Sequence, residues 1–198
     1  MPVASITSLL CATIAIASLA GCRQAEQAAG IAEDARPGFG GDFTLTTQDN
    51  QPFRLRDARG RPVLLFFGYT SCPDMCPVTM SRILGALNRV GSSASEVMTL
   101  FVSVDPKRDT PAVLKEYVGS FSTPVTGLTG SDEEIARVAS AYHASYEIVP
   151  TGTRNYLVNH TSAIFLIDRQ GTLRQYFKYD ENPDTLAAAL RTVLNEKK

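Results

Sequence analysis

The sequence predicts an α/β fold in which a mixed β-sheet is flanked by helices. Apolar runs typical of strands buried on both faces, at 63–67 and 99–104, alternate along the chain with segments whose apolar residues recur at helical spacing. Near the C-terminus the order changes to strand, turn, strand and closing helix. Parallel strands followed by an antiparallel hairpin require a mixed sheet.

The domain is predicted to begin near Gly40-Gly41, and its first element is an N-terminal β-hairpin. Apolar side chains alternate with polar ones on both sides of the turn-like pair Asp49-Asn50. These apolar residues are Phe43, Leu45, Phe53 and Leu55. We therefore expect two short strands that precede the main α/β unit.

The remaining elements follow from apolar periodicity and helix-start signals. In order they are a strand at 63–67, a helix at 76–90, a strand at 99–104, a helix from Thr110 to about 121, a strand at 125–128, a helix from Ser131 to about His143, strands at 163–167 and 173–179, and a helix from Pro183. Pro111 suits the first helical position after an N-cap threonine, and Ser131 with Glu134 forms a capping box. The order matches the thioredoxin-like topology, enlarged by the hairpin and by an insertion around 106–145.

Residues 144–159 are predicted to form a long loop before His160. We expect this loop to move, so that the histidine can swing in and out. His143 is the only other histidine in the sequence, and its predicted role is to cap the preceding helix at its C-terminus.

The chain divides into a leader at 1–22, a flexible tether at 23–39 and one domain at 40–198. Residues 2–21 carry no charged side chain, and Leu19-Ala20-Gly21-Cys22 resembles the lipobox of bacterial lipoproteins, in which the cysteine is lipidated. An uncleaved transmembrane anchor is the alternative, since about 20 apolar residues span a bilayer. Both alternatives place the domain outside the cytoplasm, on the periplasmic side of the bacterial inner membrane.

The formal net charge of -1 argues against nucleic-acid binding.

Cys72 and Cys76 form a C-x-x-x-C motif where a buried strand gives way to a helix. The free N–H groups at a helix N-terminus favour thiolate, the form that binds metal or attacks a disulfide. A purely structural disulfide would close a five-residue loop and gain little. The extra residue, compared with C-x-x-C, leaves room for an ion between the sulfurs. Two thiolates suffice for Cu(I), and a third ligand would permit Cu(II).

His160 is the candidate third ligand. A single histidine is more often structural, but in a thioredoxin-like fold the loop before the strand at 163–167 faces the cysteine loop. Asp105, at the end of another buried strand, has two open roles: it could orient His160 as a hydrogen-bond acceptor, or serve as an N-terminal cap. Met75, between the two cysteines, could touch Cu(I) or form a hydrophobic docking contact. Arg108 and Asp109, shortly after Asp105, are predicted to pin the loop before residue 110.

These motifs together resemble the Sco/SenC family of copper chaperones over about 42–195. The matching segments are Gly68-Tyr69-Thr70-Ser71-Cys72-Pro73-Asp74-Met75-Cys76-Pro77, Val102-Ser103-Val104-Asp105-Pro106-x-Arg108-Asp109-Thr110-Pro111, Leu128-Thr129-Gly130, and His160 with Phe165-Leu166-Ile167-Asp168. The resemblance implies copper bound as Cu(I) or Cu(II) by Cys72, Cys76 and His160. It implies delivery to the dinuclear copper site of cytochrome c oxidase subunit II and a thiol–disulfide role toward the cysteines of that subunit. We also expect a membrane-tethered monomer that receives copper from a periplasmic donor.

Three other functions compete with this one. A thiol–disulfide oxidoreductase would use Cys72 and Cys76 as a redox pair on partner cysteines, without metal. A peroxidase on the same scaffold is disfavoured, since there is no tryptophan in the sequence. Zinc storage lacks an obvious fourth ligand for a closed tetrahedral site.

Overall fold

The computed structural model describes residues 39–152 and 155–196. The predicted leader, with its lipidation residue Cys22, and all of the tether except Phe39 lie outside the described residues. Among the residues that are described, no helix is both long enough and apolar enough to cross a membrane.

The elements agree closely with the sequence-based order. The strands are β1 (Thr44–Thr47), β2 (Pro52–Arg54), β3 (Val63–Gly68), β4 (Met98–Ser103), β5 (Thr126–Thr129), β6 (Tyr146–Pro150), β7 (Tyr156–His160), β8 (Ile164–Ile167) and β9 (Leu173–Phe177). The helices are α1 (Met75–Val90), α2 (Pro111–Gly119), α3 (Asp132–Ala141) and α4 (Pro183–Asn195). The capping box of α3 forms as predicted, and Thr110 accepts from the backbone N–H of Val113 at the start of α2.

Seven of these strands form one mixed sheet, in the order β2-β1-β5-β4-β3-β8-β9. Strands β3, β4 and β5 are parallel, whereas β8 pairs antiparallel with both β3 and β9. The thioredoxin-like prediction is confirmed, including the N-terminal hairpin, whose strand β1 joins the sheet beside β5.

The central strand β3 is buried on both faces, which explains its continuous apolar sequence. Leu64 and Phe66 face a cluster built by α1, α2 and α4, while Leu65 and Phe67 face a second cluster that includes α3 and β1. Each fully buried side chain of this kind contributes roughly 1.5–3 kcal/mol. These two cores fix the C-terminal end of β3, from which the cysteine loop leaves.

The long loop predicted at 144–159 is wrong, because these residues form the β6–β7 hairpin, a separate two-stranded sheet. Pro150 lies at the last position of β6, where a missing N–H is tolerated. His160 is therefore the last residue of a strand. The helix predicted to reach His143 ends at Ala141, and His143 follows it with a positive φ of 50°.

Candidate metal site

The cysteine loop joins the end of β3 to the start of α1. Cys72 lies in this loop and is half-buried, whereas Cys76 lies in the first turn of α1 and is fully buried. The backbone N–H of Cys76 donates to Cys72 Sγ at 3.4 Å. Both sulfurs therefore lie at a helix N-terminus, where unpaired N–H groups favour negative charge.

His160 at the end of β7 completes a group of three candidate ligands. Its Nε2 lies 3.5 Å from Cys76 Sγ, and the ligand atoms of Cys72, Cys76 and His160 all lie within 4.8 Å of one another. Nδ1 of His160 lies 3.1 Å from the carbonyl oxygen of Thr161. Because a carbonyl can only accept, Nδ1 carries a proton, and Nε2 is the ring nitrogen that faces the two sulfurs.

The two thiols differ strongly in acidity. The hydrogen bond from Cys76 lowers the pKa of Cys72 to about 3, against the opposing effect of burial, with help from His160 and the N–H groups of Asp74 and Cys76. The same hydrogen bond, together with burial, raises the pKa of Cys76 well above its usual range. Without metal, the site therefore holds a Cys72 thiolate that accepts a hydrogen bond from the Cys76 thiol.

We expect iodoacetamide to modify Cys72 much faster than Cys76, and still to do so at mildly acidic pH, where an ordinary thiol is protonated. Peptide mass spectrometry of the full chain, with Cys11→Ser and Cys22→Ser to remove the other two thiols, would measure both rates. Equal rates, or faster modification of Cys76, would contradict the assigned proton positions.

Gly68 is a site residue to which sequence reasoning gave no role. A Cβ added here would lie 2.8 Å from Cys76 Sγ and from a ring carbon of Phe66, and 2.9 Å from a ring carbon of Phe101. Only glycine lets Cys76 pack this closely against the end of β3. The sequence did contain a signal for this role, because a glycine ends a continuous apolar strand directly before a loop with two cysteines.

Asp109 holds the cysteine loop to β4. Its buried carboxylate accepts from the Thr70 backbone N–H at 2.8 Å, the Thr70 hydroxyl at 2.7 Å and the Ser103 hydroxyl at 2.6 Å. The sequence predicted a pinning role for Asp109, and the structure identifies the pinned segment as the loop that carries Cys72.

Replacing Asp109 with alanine is expected to lower the free energy of unfolding by about 3 kcal/mol, since it leaves buried donors without their charged acceptor. Urea unfolding of the metal-free chain would measure the loss. The exposed Asp180 provides the matched control, and Asp180→Ala should have almost no effect. A loss equal to that of the control would show that these hydrogen bonds do not hold the loop.

Asp105 does not hydrogen-bond His160 directly in the structure. Its carboxylate accepts from the Tyr156 hydroxyl at 2.8 Å and pairs with Nε of Arg108, while the acceptor for His160 is the backbone carbonyl of Thr161. Nor does Asp105 cap α2, whose N-cap is Thr110. Strand β7, which the sequence did not predict, brings Tyr156 to this carboxylate.

A surface groove of about 370 Å³ leads to two of the candidate ligands, Cys72 and His160. Its lining includes Cys72, Pro73, Met75, Leu157 and His160. Leu157 is 41% exposed, so this rim is partly apolar. A partner can therefore reach Cys72 and His160 directly, while Cys76 stays covered.

Fold and site together define a thioredoxin-like protein with two thiols and one imidazole grouped at the end of the central strand. The chain belongs to the SCO1/SenC family, whose model matches residues 31–195. It is 34% identical over 155 residues to a SCO2-like protein of Rickettsia felis, covering 77% of this chain and 76% of the relative.

Solved structures of the family share the fold. ScoI of Bradyrhizobium japonicum, determined with copper bound, is 40% identical, with a TM-score of 0.72 over 78% of this chain and 99% of that one. ScoI of Arabidopsis thaliana, also with copper bound, is 30% identical, with a TM-score of 0.74 over 80% of this chain and 99% of that one.

Proposed function

We propose that this chain is a copper metallochaperone that binds one copper ion through Cys72, Cys76 and His160. The observation that carries the proposal is the grouping of two sulfurs and an imidazole nitrogen within 4.8 Å of one another. Thiolate and imidazole ligands suit copper, and a set of three leaves a tetrahedral zinc site one ligand short. Relatives at 40% and 30% identity have been solved with copper bound, which supports the same cargo here.

The two oxidation states of copper require different numbers of these three ligands. Two thiolates satisfy Cu(I), which accepts linear coordination, whereas Cu(II) needs the additional imidazole. Binding at Cys76 displaces the proton that Cys76 otherwise donates to Cys72, so copper uptake releases a proton. His160 would bind through Nε2, because Nδ1 donates to the Thr161 carbonyl.

We infer further that the cargo goes to the dinuclear copper site of cytochrome c oxidase subunit II. The domain would act on the periplasmic side of the inner membrane, tethered through lipidated Cys22 or an uncleaved anchor, and would receive copper from a periplasmic donor. Family membership supports this direction. The half-buried Cys72 and the open groove support direct handover, because incoming ligands can replace the exposed side of the site first.

The direct test is transfer of copper from the loaded full chain to the metal-free copper domain of subunit II. After mixing without oxygen and separating the proteins, we expect copper in the recipient. A recipient whose metal-binding cysteines are replaced by serine should stay empty. Copper that remains with the donor chain in both mixtures would contradict the delivery role.

A thiol–disulfide oxidoreductase is the second candidate, favoured by the unequal acidity of the two thiols. The Cys72 thiolate would attack a partner disulfide and release one partner thiolate. Cys76, after losing its proton, would then attack the mixed disulfide, leaving a Cys72–Cys76 disulfide and a reduced partner. Reduction of a partner disulfide in the presence of a copper chelator would support this function.

A further inference from the structure

The β6–β7 hairpin carries His160 but lies outside the seven-stranded sheet, so something else must fix its position. Thr151 N–H donates to the Asn155 carbonyl, and Thr161 N–H donates to the Ser145 carbonyl. In an antiparallel ladder these hydrogen-bonded pairs alternate with pairs whose backbone groups point outward. The backbone groups of residues 156, 158 and 160 therefore point away from β6.

Two side chains from outside the hairpin form hydrogen bonds with the outward-pointing backbone groups of β7. The N–H of Val158 donates to the Tyr69 hydroxyl at 3.3 Å, and Nη1 of Arg108 donates to the Tyr156 carbonyl at 3.0 Å. They take the place of a neighbouring strand. Tyr69 belongs to the cysteine loop, and its ring also contacts His160 edge-on at a centroid distance of 5.7 Å.

Charged and aromatic groups strengthen the same junction. The Tyr156 hydroxyl donates to Asp105 at 2.8 Å, and Nε of Arg108 pairs with the other oxygen of this carboxylate. The Arg108 guanidinium lies 3.7 Å from the centroid of the Tyr156 ring. Asp105 is only 3% exposed, so these interactions are poorly screened by solvent.

We propose that four residues, Tyr69, Asp105, Arg108 and Tyr156, form a clamp that holds β7 and thereby sets how tightly the site binds Cu(II) relative to Cu(I). The inference rests on the proposed copper function. Cu(II) requires His160 at a fixed place, whereas Cu(I) needs only the two sulfurs. Loosening the clamp therefore weakens Cu(II) binding selectively, and these four are positioning residues that need not touch the metal.

The test compares Tyr156→Phe and Arg108→Gln with matched controls elsewhere. Tyr176→Phe removes a hydroxyl from a tyrosine that is 41% exposed on β9, and Lys107→Gln removes a charge next to Arg108. In full chain with Cys11→Ser and Cys22→Ser, both clamp variants should bind Cu(II) about 10-fold more weakly, since supporting residues typically contribute about 10- to 100-fold to metal affinity. Cu(I) affinity should be unchanged, and the Cu(II) electron paramagnetic resonance spectrum should broaden.

A metal-free measurement separates positioning from direct ligation. Amide hydrogen exchange at Val158 should become faster in Tyr69→Phe, because the Val158 N–H loses its hydroxyl acceptor. It should also become faster in Tyr156→Phe, because β7 loses its hydrogen bond to Asp105 and opens more often, but not in the controls. Tyr156→Phe is a small change, so it remains informative even if Arg108→Gln does not fold.

The outcomes distinguish the two proposals. Normal Cu(II) affinity in Tyr156→Phe, with normal copper binding by the unchanged chain, would overturn the clamp and leave the copper function standing. Equal loss of Cu(I) and Cu(II) would show a general structural effect and would also overturn the clamp. Absence of copper binding by the unchanged chain would overturn the copper function and this inference with it.

Discussion

Replacing Cys76 with serine is expected to abolish tight copper binding in both oxidation states. Cys76 is fully buried beside Gly68, and its sulfur lies 3.5 Å from His160 Nε2. A hydroxyl cannot replace a thiolate toward a soft ion. Since supporting residues alone contribute about 10- to 100-fold to metal affinity, loss of a direct ligand should cost more than about 100-fold.

Competition with a chromophoric chelator would measure this loss for Cu(I), and absorbance titration would measure it for Cu(II). Cys11→Ser is the matched control, because it makes the same chemical change in the predicted leader and should have no effect. Retained affinity in Cys76→Ser would mean that copper binds elsewhere in the chain. Far-ultraviolet circular dichroism would confirm that both variants fold.

Replacing His160 with alanine has the second largest expected effect, and it should be selective. Cu(II) binding should weaken strongly, because two sulfurs alone do not satisfy this ion, whereas Cu(I) binding should largely persist. Thiol–disulfide exchange should also persist, since the hydrogen bond from Cys76 is the leading cause of the low pKa of Cys72. The variant therefore separates the copper function from the oxidoreductase function.

His143→Ala is the matched control for this experiment. His143 follows α3 and packs edge-on against Phe39 at a centroid distance of 4.6 Å, away from the cysteine loop. It should leave both copper affinities unchanged. Equal Cu(II) affinity in His160→Ala and in the unchanged chain would exclude His160 as a ligand.

The main sheet was predictable because its signals are local. Strand β3 has a continuous apolar sequence because it is buried on both faces. The start of α3 is marked in the sequence by the capping box at Ser131. The candidate ligands were also accessible to sequence reasoning. Cys72 and Cys76 are close in the chain, and the topology alone places residue 160 opposite them.

The β6–β7 hairpin was not predictable in the same way. It buries little apolar side chain, and Ile148 remains 48% exposed, so its sequence lacks a strong strand pattern. Its outer edge forms long-range hydrogen bonds with Tyr69 and Arg108 that no local pattern encodes. The contact between Asp105 and Tyr156 was hidden for the same reason, because the two residues are 51 positions apart in the chain.

The most direct test of the copper function is an anaerobic titration of the reduced full chain, carrying Cys11→Ser and Cys22→Ser, with Cu(I) and separately with Cu(II). Metal content and absorbance would be followed together. We predict one tightly bound copper per chain, and with Cu(II) a thiolate-to-copper charge-transfer band that disappears in Cys72→Ala. Failure to bind either ion against a competing chelator would contradict the copper function and leave the oxidoreductase as the better account.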